Sequence, residues 1–241
     1  MGTQTTLVWL SQEGGRTTSH PLTLHEHTLL QRSAACPRRS TFETAAGSLI
    51  LHSFCPPSLV TSLKADRGLH AFTHVPEREH QLLLGIAERP DCALTLAYTS
   101  TGEIVGQVTL ALADAWWQGV ANTYELAMEV SSPWRRLGIA RQLLSLTLEH
   151  HAVEEMILAA VGLSWHWDLK GSGLSPFRCR SLLAHILEPY HFFECLTDEP
   201  NVGLDPANIL LVRIGKRVVD GDHILSIKYG SHAFPPCEAR M

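Results

Sequence analysis

The sequence lacks the features that define several broad classes of protein. None of its six cysteines stands in a C-x-x-C pair, so the usual signal for a zinc knuckle or a redox pair is missing. No apolar run reaches the roughly 18 residues of a membrane span, and the first residues do not resemble a secretory signal. With 19 basic and 24 acidic residues, the chain has no basic excess for nucleic acid. We therefore expect a cytoplasmic protein that has neither a membrane nor a nucleic acid as its partner.

Histidine is frequent, but its pattern does not predict a metal site. The His25-Glu26-His27 and His150-His151 stretches have no third and fourth ligands at the usual spacing. Adjacent side chains on a helix also point in different directions, so a neighbouring pair does not converge on one ion. We expect these histidines to have solvated or surface roles, and we expect no metal cofactor.

The composition predicts one large globular domain. The chain has 241 residues, of which 45% are hydrophobic and 18% are charged, which is enough apolar material for a sizeable core. Residues 1–45 are rich in turn-forming residues and lack a periodic pattern, so we expect an extension that is weakly ordered or forms one strand. We expect that residues 1–44 can be deleted without unfolding the domain. The domain itself is predicted over residues 46–220, followed by a C-terminal extension over residues 221–241.

Hydrophobic periodicity predicts alternating strands and helices within that domain. The predicted strands cover residues 48–51, 92–98, 104–112, 123–130, 156–161 and 209–214. The predicted helices cover residues 58–67, 76–88, 133–149 and 177–187. The fifth strand is almost continuously apolar, which is typical of a strand that is buried on both faces. This order predicts a mixed α/β fold, with a central sheet flanked by helices.

The most informative segment joins the strand that ends near Val130 to the following helix. Its short connection carries Arg135, Arg136 and Gly138, and Arg141 lies just inside the helix. The first backbone N–H groups of a helix have no partner within the helix, and the helix dipole favours an anion at that end. A glycine allows close approach of a bulky anion. The segment therefore predicts a pyrophosphate site, although a basic helix cap is the simpler alternative.

The pattern Arg135-x-x-Gly138-x-Ala140 resembles the acetyl-CoA signature of the GCN5-related N-acetyltransferases (GNAT). The glycine patterns of a Rossmann cradle or a P-loop are missing from the sequence. The resemblance implies a GNAT fold whose sheet is splayed at its two central strands, and it implies acetyl-CoA as co-substrate. The residues it predicts to contact acetyl-CoA are Met128, Val130, Arg135, Arg136, Leu137, Gly138, Ile139, Ala140 and Arg141.

Two further segments resemble the acetoin utilisation family of these enzymes. They are Trp165-His166-Trp167-Asp168-Leu169-Lys170-Gly171, and the run from Asp205 to Lys216. The resemblance extends from about Gly47 to Val218. It implies a protein lysine acetyltransferase whose protein substrate is acetyl-CoA synthetase, an enzyme that loses activity when a lysine in its active site is acetylated. It implies nothing about oligomeric state.

The strand that precedes the predicted pyrophosphate site offers two carboxylates as catalytic bases. Glu125 and Glu129 share one face of the strand and lie about 13 Å apart, so only one of them can act on a given proton. We predict Glu125, because it lies farther along the path of the pantetheine arm, and we predict a structural role for Glu129. A bulge in this strand would exchange Glu125 for Tyr124.

Other chemical roles stay open at this stage. Tyr190 is a candidate acid for the departing thiolate, although packing is the simpler role. Trp165, His166, Trp167 and Asp168 are predicted to lie on the acceptor side, where Asp168 orients or deprotonates an ammonium; a rigid packing loop is the alternative. Two other functions also remain: acetylation of a small amine, and an acetyl-CoA-bound protein that masks its partner without catalysis.

Overall fold

A nine-stranded sheet organises the part of the chain that the computed structural model describes, namely residues 37–69, 75–113, 120, 122–197 and 199–219. The strands are β1 (Arg39–Thr44), β2 (Gly47–His52), β3 (Lys64–Ala65), β4 (Cys92–Thr99), β5 (Glu103–Leu112), β6 (Thr123–Val130), β7 (Ile157–Gly162), β8 (Phe193–Glu194) and β9 (Ile209–Ile214). The helices are α1 (Pro57–Thr61), α2 (Pro76–Glu88), α3 (Ile139–Leu148), α4 (Leu169–Ser172), α5 (Pro176–Leu187) and α6 (Pro200–Gly203).

The strand order along the sheet is β1-β2-β4-β5-β6-β7-β9-β8, and β3 pairs separately with β5. Neighbours along this order are antiparallel except for β6 and β7, which are parallel. The β6–β7 ladder covers only Thr123–Glu125 and Ile157–Ala159, so the two central strands separate beyond it. The predicted mixed α/β fold with a splayed central sheet is therefore confirmed.

Helices cover both faces of the sheet, which explains why the central strands are apolar on both sides. On one face, α3 and α5 pack over a cluster that includes Val108, Tyr124 and Leu143. On the other face, α1 and α2 pack over a second cluster that includes Leu83, Leu96 and Ile104. We call these the α3 side and the α2 side. The gap between β6 and β7 lies between the two layers.

Two predicted helices are shorter than their sequence patterns suggest. The helix predicted over 58–67 ends at Thr61, because the chain then turns into β3 and pairs with the start of β5. The helix predicted over 133–149 begins only at Ile139. Its first turn is prevented by Arg136 and Gly138, whose φ angles are 65° and 82°, a conformation that an α-helix cannot include.

The boundary predicted at residues 45/46 falls in the turn between β1 and β2. These strands form a six-residue antiparallel hairpin, so β1 lies inside the predicted N-terminal extension and also belongs to the sheet. Its Phe42 packs against the core on the α3 side. The remainder of that extension and the predicted C-terminal extension, residues 221–241, lie outside the described residues.

His150 is buried, so the expectation of a solvated or surface role is wrong for this residue. Its ring packs edge-on against Phe54, with the ring centroids 4.6 Å apart. Its Nδ1 accepts a hydrogen bond from the backbone of Ala152, which caps the short helix that follows α3. Desolvation lowers the pKa of His150, so the imidazole is a neutral core residue at pH 7.

Candidate functional site

The gap between β6 and β7 begins where their ladder ends. The last paired residues are Glu125 and Ala159. Beyond this point β6 continues to Val130, and among the described strands its only partner there is β5. The open stretch from Glu125 to Val130 is about 16 Å long at the rise of a β-strand. We call the opening along this unpaired stretch the slot; it is closed at the Glu125 end, where the ladder begins.

The register of β6 decides which side chains face each layer. Its pairing with β5 runs without a break from Tyr124 to Val130, so no bulge exchanges the two faces. Tyr124 is buried in the core on the α3 side. Glu125 and Glu129 therefore lie on the opposite, α2 side, and both are partly exposed. Met128 and Val130 alternate with them and pack, half-buried, against the α3-side cluster.

Two buried polar residues of β5 lie beside these carboxylates. Gln107 is paired with Glu129, and Thr109 is paired with Ala127. Both polar side chains are only 1% exposed. The Thr109 hydroxyl donates to Gln107 Oε1 at 2.6 Å, while Gln107 Nε2 has no hydrogen-bond partner among the described residues. Sequence reasoning missed this pair, although two polar residues within the apolar run of β5 were the available signal.

The N-terminus of α3 lies beyond the far end of β6. Gly138 forms the N-cap with φ at 82°, and no described side chain caps the helix there. The first amides of α3 therefore keep their free donors for a ligand. Among the described residues, a Cβ atom at Gly138 would have only Phe42 Cζ within 4 Å, at 3.7 Å, so these residues leave the approach to the backbone open. This geometry fits a diphosphate.

The side chains around this helix end differ in what they can offer an anion. Arg136 and Arg141 are exposed and can add positive charge. Leu137 is half-buried against the core, and Ile139 is fully buried. The predicted contact of Ile139 with acetyl-CoA would therefore have to come from its backbone, whereas Ala140 is partly exposed.

The connection between β6 and α3 is held firmly on its α2-side flank. The Ser131 hydroxyl donates to the carboxylate of Asp66, and the Ser132 amide donates to the Gly68 carbonyl at 3.3 Å. A side chain at Gly68 would collide with the hydroxyl of Ser131 and the ring of Pro133. The site is therefore preformed rather than assembled on a loose loop, which lowers the ordering cost of binding.

An ion pair crosses from this connection to the segment after β7. Arg135 Nη1 lies 2.7 Å from Asp168 Oδ2, and Arg135 Nε donates to the Val130 carbonyl at 3.1 Å. The second Asp168 oxygen accepts from the Gly171 amide at 2.7 Å and so caps α4. Arg135, which was predicted to contact acetyl-CoA, and Asp168, which was predicted to lie on the acceptor side, are thus in direct contact.

The rest of the segment after β7, from Ser164 to Trp167, is held in place by contacts at both of its ends. The Ser164 amide donates to Asn208, and its hydroxyl donates to Asp205, both at 2.7 Å. Trp167 packs close to Gly162, where any side chain would be blocked. Trp165 is 45% exposed, and desolvation lowers the pKa of His166, so its ring is neutral at pH 7.

Tyr190 is held by structural contacts. The Tyr190 hydroxyl donates to the Arg141 carbonyl at 2.8 Å and lies 3.0 Å from Ser145 Oγ, which favours packing of the α5 end against α3 over proton donation. Desolvation raises the pKa of Cys179, so it is a neutral thiol. No group of three or more potential metal ligands occurs among the described residues. Within the same ranges, every helix is too short or too polar to cross a bilayer.

Comparison with known proteins identifies the class to which this fold and site belong. The acetyltransferase (GNAT) family profile matches residues 59–164. The acetoin utilisation protein AcuA of Bacillus subtilis is 30% identical over 184 residues, covering 74% of this chain and 87% of the relative. Its counterpart from Bacillus licheniformis is 29% identical over 182 residues, covering 73% and 85%.

A solved structure supports the same relationship. The acetoin utilisation protein of Exiguobacterium sibiricum superposes with a TM-score of 0.74 at 29% identity, covering 80% of this chain and 94% of that one. The chain therefore belongs to the GNAT family of acetyltransferases and, within it, to the family of the acetoin utilisation protein AcuA. It is an N-acetyltransferase of a family that uses acetyl-CoA.

Proposed function

We propose that this enzyme acetylates a lysine of a protein in the cytoplasm, and that its substrate is acetyl-CoA synthetase. Acetylation of that enzyme would regulate acetate and acetoin metabolism. The observation that carries the proposal is the slot between β6 and β7, with the uncapped N-terminus of α3 at its mouth and Glu125 at its closed end. A donor with a diphosphate at one end and a thioester at the other suits this shape.

The length of the slot supports this placement of the donor. The diphosphate would bind the first amides of α3, with Arg136 and Arg141 nearby. The extended pantetheine arm would follow β6 past Val130 and Met128. The open stretch of about 16 Å is comparable with the length of that arm. The thioester would then lie beside Glu125.

The chemistry at that point is a direct transfer. The neutral amine of the acceptor attacks the thioester carbonyl, the C–N bond forms, and the C–S bond breaks to release the CoA thiolate. Glu125, on the α2 side of the slot, accepts the proton that the amine loses. The thiolate takes a proton from solvent or from a group that is not yet assigned. No covalent intermediate on the enzyme is required.

A wide acceptor side favours a protein over a small amine. Val161 lies on the same sheet face as Glu125, because Ala159 is the register partner of Glu125 and Val161 follows it by two residues. Val161, Trp165 and Leu204 are all exposed. The Ser164–Asp205 hydrogen bond brings the segments that carry Trp165 and Leu204 together. An apolar rim of this kind suits an extended peptide around the acceptor lysine.

Mass spectrometry tests the proposal directly. The full chain is incubated with acetyl-CoA and purified acetyl-CoA synthetase, and we expect a gain of 42 Da on one lysine together with loss of synthetase activity. The same mixture without the enzyme is the control for chemical acetylation. Modification of small amines but not of the synthetase would favour a small-molecule enzyme. Tight binding of the synthetase without a mass change would favour a masking protein.

A further inference from the structure

The ion pair between Arg135 and Asp168 spans the open end of the slot. Arg135 follows β6 and Asp168 follows β7, and these strands have already separated beyond Glu125 and Ala159. The pair is therefore a direct link between the two sides where their ladder no longer joins them. Any donor that extends along β6 must pass this link.

The guanidinium of Arg135 is fixed at two points and still has donors to spare. Its Nε is held by the Val130 carbonyl, and one Nη1 proton points to Asp168. An arginine carries five N–H groups in a rigid fork, so three remain for an anion or a carbonyl. The side chains of Arg135 and Asp168 are only 28% and 23% exposed, so solvent screens this pair less than an ordinary surface pair.

Asp168 is equally constrained on its own side. One carboxylate oxygen accepts from Arg135 and the other caps α4 through the Gly171 amide. A side chain at Gly171 would collide with this carboxylate. Asp168 is thus a fixed anchor rather than a mobile base at the acceptor amine.

We infer that Asp168 is a positioning residue for the acetyl-CoA donor and acts through Arg135. It holds the guanidinium across the mouth of the slot, with its three remaining N–H groups available to the diphosphate or the pantetheine carbonyls. This inference rests on the proposed placement of the donor. It assigns Asp168 to the donor, whereas its position after β7 in the sequence predicts a role at the acceptor.

The substitution Asp168→Asn tests this role with little disturbance of the fold. Asparagine can still cap α4, but it removes the charge that orients Arg135. We expect the Kd for acetyl-CoA, measured by calorimetry, to rise about tenfold, which is about 1.4 kcal/mol. The KM for the protein acceptor and the melting temperature should stay unchanged. Asp205→Asn is the matched control for the Kd of acetyl-CoA, which it should leave unchanged, because Asp205 lies against the other end of the same segment, away from Arg135.

A double variant tests whether Asp168 affects acetyl-CoA affinity through Arg135. In an Arg135→Ala chain, adding Asp168→Asn should cause no further loss of acetyl-CoA affinity, because the group through which Asp168 acts is gone. Unchanged or tighter binding in the single Asp168→Asn variant would overturn the inference, as would a change confined to kcat or to the acceptor KM. If the unmodified enzyme itself fails to bind acetyl-CoA, the proposed function fails instead.

Discussion

The two sides of the slot are formed by the neighbouring parallel strands β6 and β7, but these strands differ in the side chains that they present. On β6, every second side chain faces the α2 side, where Glu125 and Glu129 are partly exposed. On β7, residues 157–160 are all buried. An arginine-rich turn and a long helix follow β6, while a short segment with two tryptophans follows β7. In the proposed mechanism, the β6 side carries the proton acceptor and the arginines that face the diphosphate, while the β7 side supplies apolar surface and the Asp168 carboxylate that holds Arg135.

The largest effect on the acetylation rate is expected from removing the carboxylate of Glu125, at the closed end of the slot. Glu125→Gln keeps the size of the side chain but removes the proton acceptor. We expect the acetylation rate at pH 7 to fall about 10²–10⁴-fold, with acetyl-CoA affinity nearly unchanged. Part of the loss should be recovered in alkaline buffer, since more of the acceptor amine is then neutral. Steady-state kinetics across a pH series measures this.

Two neighbours of Glu125 serve as matched controls. Glu129→Gln changes the same group on the same face, at the open end of the slot, and we expect a much smaller loss. Tyr124→Phe tests the other face, where the tyrosine is buried, and it should leave turnover close to normal. If Glu125→Gln retains near wild-type turnover while chemistry limits the rate, the base is a different residue and the assigned charge on β6 is wrong.

A smaller effect is expected at the open end, where the β6 side leads into α3. Gly138→Asp places bulk and a negative charge at the proposed diphosphate site, so the Kd for acetyl-CoA should rise at least tenfold. Gly138→Ala is the control for backbone strain, because any side chain is disfavoured at a φ of 82°. Calorimetry of both folded variants separates the two causes. Equal affinities for Gly138→Asp and the native enzyme would show that the diphosphate binds elsewhere.

The smallest effect is expected from removing β1, whose Phe42 lies near Gly138. Deleting residues 1–36 keeps β1, and we expect an unchanged melting temperature. Deleting residues 1–44 removes β1 and Phe42, which packs on the core close to Gly138. Because Phe42 is only partly buried, we expect a loss of about 2 kcal/mol of stability in a domain that still folds. Thermal melts of the two truncations give the answer, and identical melts would show that β1 contributes little.

Local patterns in the sequence predict the elements well where side chains repeat regularly. Strand β6 and strand β9 have the predicted bounds, residues 123–130 and 209–214, because the residue types of β6 alternate and those of β9 form a short, nearly continuous apolar run. The two-residue strand β3 is missed, since it is too short to carry a period. The late start of α3 is missed because Arg136 adopts a positive φ, which sequence propensity does not predict for arginine.

In the candidate site, too, features formed by adjacent residues can be predicted from the sequence, whereas contacts between distant residues cannot. The helix end with Gly138 follows from adjacent residues, so the sequence can suggest it. The Arg135–Asp168 pair joins residues 33 positions apart in the chain, and the Gln107–Glu129 neighbourhood depends on the register between two strands. Contacts of this kind arise only when the whole sheet is assembled, and neither residue type nor spacing predicts them.

The short β6–β7 ladder has a consequence for the stability of the whole domain. It joins a block of β1 to β6 to a block of β7 to β9 through three residue pairs. A ligand that fills the slot would touch both blocks and would act as an additional strand between them. At a concentration of 100 times its Kd, such a ligand stabilises the folded state by about 2.7 kcal/mol. If the donor binds in the slot as proposed, the resistance of this enzyme to unfolding should therefore increase with the concentration of acetyl-CoA.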